Sequence, residues 1–130
     1  MEGRAMSLLD PRLPYIEARL RVRPTAEGGR AGSVFPGYRA GWWVPHRDGQ
    51  RVYTDGAVYP IDEEELAPGT AGSVRIYPLV RENWSDVGPG TELEMCEGPR
   101  VVGVATVAKG LASGTPAPPQ RVGEALAGGG

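Results

Sequence analysis

The chain has 130 residues, with 16 acidic against 14 basic side chains and a formal charge of -2, so whole-chain attraction to phosphate is not expected and any nucleic-acid contact needs a local patch. One Cys and one His exclude an intrachain disulfide and a structural zinc site. No run approaches the roughly eighteen apolar residues of a membrane span, and no charged-then-apolar leader opens the chain, so a cytoplasmic protein without membrane association is expected.

Residues 1–14, MEGRAMSLLDPRLP, mix a short apolar patch (Met6, Leu8, Leu9) with prolines and keep no period; they read as a flexible arm. Residues 112–130 are rich in Ala, Gly and Pro and hold almost no large apolar group. Such a segment cannot bury enough surface to offset its ordering entropy and reads as a disordered tail. Residues 15–111 are left as one domain with a modest core.

Within that domain the pattern alternates, and Gly or Pro interrupts every run before a helix of useful length can form. Ile16, Ala18, Leu20 and Val22 lie on one side of a first strand, and Glu17, Arg19, Arg21 and Arg23 on the other; Pro24 ends it. Gly28-Gly29 then permits the positive φ of a tight turn. Tyr38 to Val44 predicts a second strand, with Trp42 and Trp43 on opposite faces. Arg51 to Tyr59 reads as a hairpin, because Asp55-Gly56 between β-formers favours a type I′ turn.

Pro68-Gly69 fits the centre of a type II turn, and Ser73 to Val80 predicts a further strand whose Pro78 suggests an edge or a bulge. Thr91 to Cys96 and Arg100 to Gly110 form a closing pair joined by Glu97-Gly98-Pro99. Gly103, inside the last strand, leaves room for a neighbouring backbone or for a large side chain such as Trp42 or Trp43. Six to seven short strands at spacings of roughly ten residues predict an all-β barrel or sandwich. Closing the sheet would also remove exposed edges.

The turns carry a further signal. EGGR (Glu27 to Arg30), GYR (Gly37 to Arg39), LAPGTAGSVRI (Leu66 to Ile76) and EGPRVVGVATVAKGL (Glu97 to Leu111) resemble, in order and spacing, the C-terminal β-barrel of translation elongation factor Tu, its third domain. The resemblance covers Ile16 to Leu111 and implies a closed six-stranded antiparallel β-barrel. In the whole factor that barrel helps to hold the T-stem of aminoacyl-tRNA and packs on the GTPase domain and the exchange factor. No G-x-x-x-x-G-K-[ST] loop occurs in this sequence, so neither nucleotide binding nor any other cofactor is expected.

The family's turn before the last strand reads REGGR, and its Glu-Gly approaches the T-stem. Glu97 and Gly98 match it, while Cys96 stands in place of the Arg and Pro99 in place of the second Gly. After GYR the family continues Pro-Gln with an RNA-facing Gln; this chain has Ala40-Gly41. What the resemblance implies is a freestanding, non-catalytic and translation-related binding module, whose partner is a protein or a structured, tRNA-like RNA.

The residues singled out for that role are Glu97, Gly98, Arg100, Arg39 and Arg30, together with Trp84. Trp84 sits in VRENWSDVGPG, the loop that departs most from a minimal hairpin, and loops on a rigid barrel commonly carry binding. An RNA-binding module should show a positive patch of Arg19, Arg21, Arg39 and Arg100. A protein-binding module should expose apolar surface near Trp84 or Trp43.

Other features have an ordinary reading beside the functional one. Arg19, Arg21 and Arg23 stand about 7 Å apart on one face and could track a phosphate backbone, or simply be a solvated exterior. Tyr38, Tyr53, Tyr59, Tyr77 and the tryptophans offer stacking platforms, or fill and cover a small barrel. Four consecutive acids, Asp62 to Glu65, form a run of the kind that is usually solvated. His46 with Asp48, and Ser85-Asp86 or Cys96, would be the raw material of a small enzyme, but no spacing promises an oriented base, and an acidic neighbour should make the Cys96 thiol less reactive.

Overall fold

The computed structural model describes residues 13–46 and 48–111. The expected arm, apart from Leu13 and Pro14, and the whole expected tail lie outside the described residues. The rest is all-β: six strands, β1 (Ile16–Val22), β2 (Tyr38–Pro45), β3 (Arg51–Pro60), β4 (Ala71–Pro78), β5 (Glu92–Glu97) and β6 (Arg100–Lys109), with two short 3-10 turns, Thr25–Glu27 and Arg81–Trp84. The strands close into an antiparallel barrel in the order β1-β4-β3-β2-β5-β6, with β6 hydrogen-bonded back to β1.

Alternation drives this closure. In β1 every second side chain from Ile16 to Val22 is buried and those between are partly or fully exposed, so one face has to find apolar cover. The other strands supply it: Ala40, Trp42 and Val44 from β2, Val58 from β3, Val74 and Ile76 from β4, Leu93 and Met95 from β5, and Val102, Ala105 and Val107 from β6 all point inward. The closed ladder leaves no strand with an open edge. Among the described residues, no helix is long and apolar enough to cross a membrane.

The expected hairpin at Asp55-Gly56 is not formed. Arg51–Pro60 is one uninterrupted strand, paired with β2 from Pro45↔Arg51 through Gly41↔Asp55 and Ala40↔Gly56 to Tyr38↔Val58. The chain reverses earlier, at His46–Gln50, where the Gln50 carbonyl accepts from the His46 amide at 2.7 Å and Gly49 takes φ 87. Asp48-Gly49 is thus the turn-forming pair.

Gly56 answers a different demand. A Cβ there would lie 3.1 Å from the Trp84 ring and 3.0 Å from Ile76, so the missing side chain is the space that the indole occupies. The Gly56 carbonyl also accepts the buried Trp42 Nε1–H at 3.1 Å.

Trp84 was expected on the surface and is fully buried, at 0% exposure. The Arg81–Trp84 turn swings the indole into the barrel, edge-on to Trp42 at 6.1 Å between centroids. Its neighbours Arg81, Glu82 and Ser85 stay in solvent. Burying the one large apolar group of a polar turn outweighs its loop location.

Pro78 does not mark an edge; it ends β4 opposite Gly56. Pro68-Gly69 turns as expected, with Gly69 at φ 86 and the Thr70 amide donating to the Ala67 carbonyl at 3.1 Å. Gly103 does admit close neighbours, but these are the Arg21 carbonyl and Met95, not a tryptophan.

Candidate functional site

The EGGR segment builds one corner of the site. After β1, the Thr25–Glu27 turn ends at Gly28 in the left-handed region, φ 95. Gly29 packs directly under the Arg23 carbonyl, where a Cβ would overlap it. The hydroxyl of Thr25 donates to the Arg30 carbonyl at 2.7 Å and ties the loop shut. Folded this way, the loop aims Arg30 across the barrel end toward the turn between β5 and β6.

That turn, Glu97-Gly98-Pro99-Arg100, has Gly98 at φ 59, the conformation a two-residue hairpin takes when glycine occupies its first central position. It holds Glu97 at a fixed point. One carboxylate oxygen, Oε2, accepts from Arg30 at 2.8 Å and from the Tyr38 hydroxyl at 2.6 Å. The other, Oε1, faces the Arg100 guanidinium at 3.7 Å. Arg30 also lies over the Tyr38 ring, 4.4 Å from its centroid, and donates through Nε to the Gly32 carbonyl at 3.0 Å.

The cluster is partly withdrawn from water: the Arg30 side chain is 15% exposed and that of Glu97 30%. Charge-assisted hydrogen bonds gain strength in such surroundings. Tyr38 registers the setting. Burial first, then its hydrogen bond to Glu97 and the negative charge of Glu97, push the phenol far above its ordinary 10.0. It remains a donor at every physiological pH.

A strip on the outer face of β2, β3 and β5 continues from this cluster. The Tyr53 hydroxyl donates to the Gly98 carbonyl at 3.3 Å, and its ring lies across Gly41, where no side chain would fit. Trp43 meets Tyr53 edge-on at 5.1 Å. Arg51 covers Trp43 at 4.8 Å and pairs with Glu94 at 3.0 Å. Arg39 stands exposed on the same face of β2 between Gly37 and Gly41, two bare positions overlaid by Tyr59 and Tyr53.

Of the residues singled out from the sequence, Arg30, Glu97, Gly98 and Arg100 come together at one end of the barrel. Arg39 lies beside Tyr38 on the adjoining outer face. Trp84 is in the core and takes no part. Tyr38 and Tyr53 were read as stacking platforms or as filling and covering the barrel, and their hydrogen bonds to Glu97 and Gly98 were not foreseen; the tyrosine of GYR was the available signal for the first.

The groups suggested for catalysis lie on separate segments of the chain. Cys96 is buried opposite Gly41, and its thiol is pushed up by burial first and then by the charge of Glu94, not of Glu97. His46 and Asp48 lie beyond the end of β2, with Asp48 accepting from the Gln50 amide at 2.9 Å. Ser85 caps its own turn through the Glu82 carbonyl.

Chemically, the barrel end offers guanidinium edges, a phenol ring and a backbone turn held in register, which suits recognition by hydrogen bonding and stacking. No protein-family model and no curated protein matches this chain.

Proposed function

We propose that the chain is a non-catalytic binding module, translation-related in character, and that it recognises a protein partner through the barrel end and adjoining strip that carry Arg30, Tyr38, Glu97, Gly98, Trp43 and Tyr53. The observation that carries this reading is the coupled set of rings and guanidinium groups on β2, β3 and β5, with Arg51 neutralised by Glu94 and Arg30 by Glu97. Tyr, Trp and Arg dominate the energetic centres of protein interfaces. Internal neutralisation lowers the cost of desolvating them.

The order of EGGR, GYR and EGPR around a closed six-stranded barrel supports kinship with the third domain of elongation factor Tu. It also supports placing the partner surface where Glu97 and Gly98 match that family's contact turn.

A structured, tRNA-like RNA at the same end is the second reading. It is favoured by Arg39 and Arg100, both exposed.

Photo-crosslinking from position 53, in lysate of the native cell brought to low or high salt before irradiation, tests both. Recovery of a discrete protein adduct that disappears in Trp43→Ala and persists at high salt is the expected result. Recovery of RNA alone, lost at high salt, would replace the first reading by the second. No adduct of either kind would remove this surface from the function.

A further inference from the structure

Arginines on the outer surface of the barrel either face a carboxylate or, like the exposed Arg39 and Arg81, form no ion pair among the described residues. On the β2–β3–β5 side and at the barrel end, Arg30, Arg51 and Arg100 each face a carboxylate, and Arg75 has a long 3.9 Å ion pair with Glu17. Arg30, Arg51 and Arg75 also lie over aromatic rings. Arg19, Arg21 and Arg23 are exposed, follow one another on the outer face of β1 and its end, and form no ion pair among the described residues.

Their lateral neighbours explain why. Arg19 is flanked by Ser73 and Thr106, and Arg21 by Ala71 and Val104. Two shallow depressions meet on this face at Arg21 and Val104. One of about 170 Å³ reaches Arg23 and Gly103, and one of about 360 Å³ reaches Arg19, Ala71 and Thr106. The floor is small and unfilled, so the guanidinium groups stand free along its sides. Glu27 and Glu92 also line the two depressions, Glu92 across Thr106 from Arg19.

We infer that this β1–β6 groove, which runs up to the EGGR corner at Glu27, binds the phosphodiester backbone of nucleic acid on a face of the barrel other than the β2–β3–β5 strip proposed above. Three cations in single file, about 7 Å apart and unpaired among the described residues, repel one another, and an anion of matching repeat relieves that repulsion. The planar guanidinium fork suits phosphate oxygens. No aromatic side chain lines either depression, so there is no stacking platform for bases and recognition follows the backbone without regard to sequence.

An acidic peptide is the less suitable occupant. The face lies within a closed ladder and offers no free backbone edge for an added strand. With a net charge of -2 on the chain, binding has to be local and steeply dependent on salt.

Fluorescence anisotropy of a labelled uridine oligonucleotide, titrated with the full chain at 50 and 200 mM salt, tests the inference by comparing wild type with the triple variant R19Q/R21Q/R23Q. The wild type should bind at 50 mM. The variant should lose at least about tenfold in affinity there, with a dependence of log K on log salt shallower by about 2, as three lost phosphate contacts require. No binding by the wild type at 50 mM, or an unchanged affinity and slope in the variant, overturns the inference.

Backbone amide shifts in the wild type, on adding the same oligonucleotide, provide a readout that does not depend on the variant's folding. Shifts at Arg19, Arg21, Val104 and Thr106 are expected, whereas shifts confined to Tyr53 and Gly98 would move the RNA to the barrel end and end the proposal. Tighter binding of polyglutamate, or of phosphatidylserine vesicles, than of the oligonucleotide at equal salt would also overturn it.

Discussion

Two glycines on neighbouring strands of the barrel each make room for an aromatic ring, one inside and one outside. Gly56 of β3 faces inward and receives the Trp84 indole, sealed between Ile76 and Trp42. Gly41 of β2 faces outward and lies under Tyr53, a residue 44% exposed whose hydroxyl reaches the Gly98 carbonyl. The same local device serves two ends. Inside, the ring has nowhere else to go and contributes to stability; outside, it can swing away, so the contact positions a surface instead of holding the fold.

The inner contact should break most expensively. Trp84→Ala removes a fully buried indole and leaves a cavity that β3 and β4 cannot collapse into without losing their ladder; a loss of about 3–5 kcal/mol is expected. Chemical denaturation followed by far-UV circular dichroism reads it. A loss below about 1 kcal/mol would show that the Arg81–Trp84 turn is not part of the core. Gly56→Ala comes next, at about 1–3 kcal/mol, because its Cβ would press on Ile76 and the Trp84 ring from 3.0 to 3.1 Å. Made together with Trp84→Ala, the same substitution should cost much less, and this coupling identifies the indole as the group that excludes the methyl.

This pair of residues also marks where the sequence was readable and where it was not. The inward set of β1, the opposite facing of Trp42 and Trp43, the closing pair and the Pro68-Gly69 turn all follow from alternation and local turn chemistry. Each depends on residues within a few positions of one another. Two Asp-Gly dipeptides occur in the chain, and nothing local separates the turn at Asp48-Gly49 from the strand interior at Asp55-Gly56. The distinction comes from Trp84, far along the chain, which needs the space that Gly56 leaves.

Trp84 in turn reads as exposed because its immediate neighbours are charged or polar; Val80 and Val87 on either side were the only hint of burial. The site divides in the same way. Arg30 and Glu97 are remote in sequence; both were singled out, but nothing in the sequence paired them, and their ion pair is a product of the fold. The roles of Tyr38 and Tyr53 depend on register, which alternation does not supply.

A smaller effect is expected where the barrel end meets solvent. Glu97→Gln keeps the shape and an acceptor oxygen but removes the charge that Arg30 and Tyr38 both address. About 1–2 kcal/mol should be lost, since the groups are only partly buried. Ultraviolet titration of tyrosinate should show Tyr38 ionising at lower pH than in the wild type but still above 10.0, because burial, the larger cause, remains.

The sign of the pH dependence follows from the same shift. With the folded phenol raised, the unfolded chain gives up its proton first, so Tyr38's contribution is complete below about pH 10 and is lost as pH climbs from there toward the folded value. Tyr77 and Cys96, also raised chiefly by burial, add to the alkaline loss. Stability that stayed level between pH 9 and 12 would contradict the buried placement of these groups.

Gly41→Ala should be nearly silent in stability, within about 0.5 kcal/mol, and is the sharpest test of the comparison. An added methyl overlaps the tip of Tyr53, but that tip is at the surface and can rotate out. Lost with it are the long hydrogen bond to Gly98 and the edge-on contact with Trp43. Against that loss stands the gain from replacing a strand glycine, roughly 0.5–1 kcal/mol, so the two nearly cancel. What should change is presentation: Trp43 fluorescence shifts as its cover leaves, and crosslinking from position 53 weakens. If Gly41→Ala instead destabilised the barrel as much as Gly56→Ala, the outer rings would be structural cladding, and the partner surface would have to be sought among Arg39 and Arg100 alone.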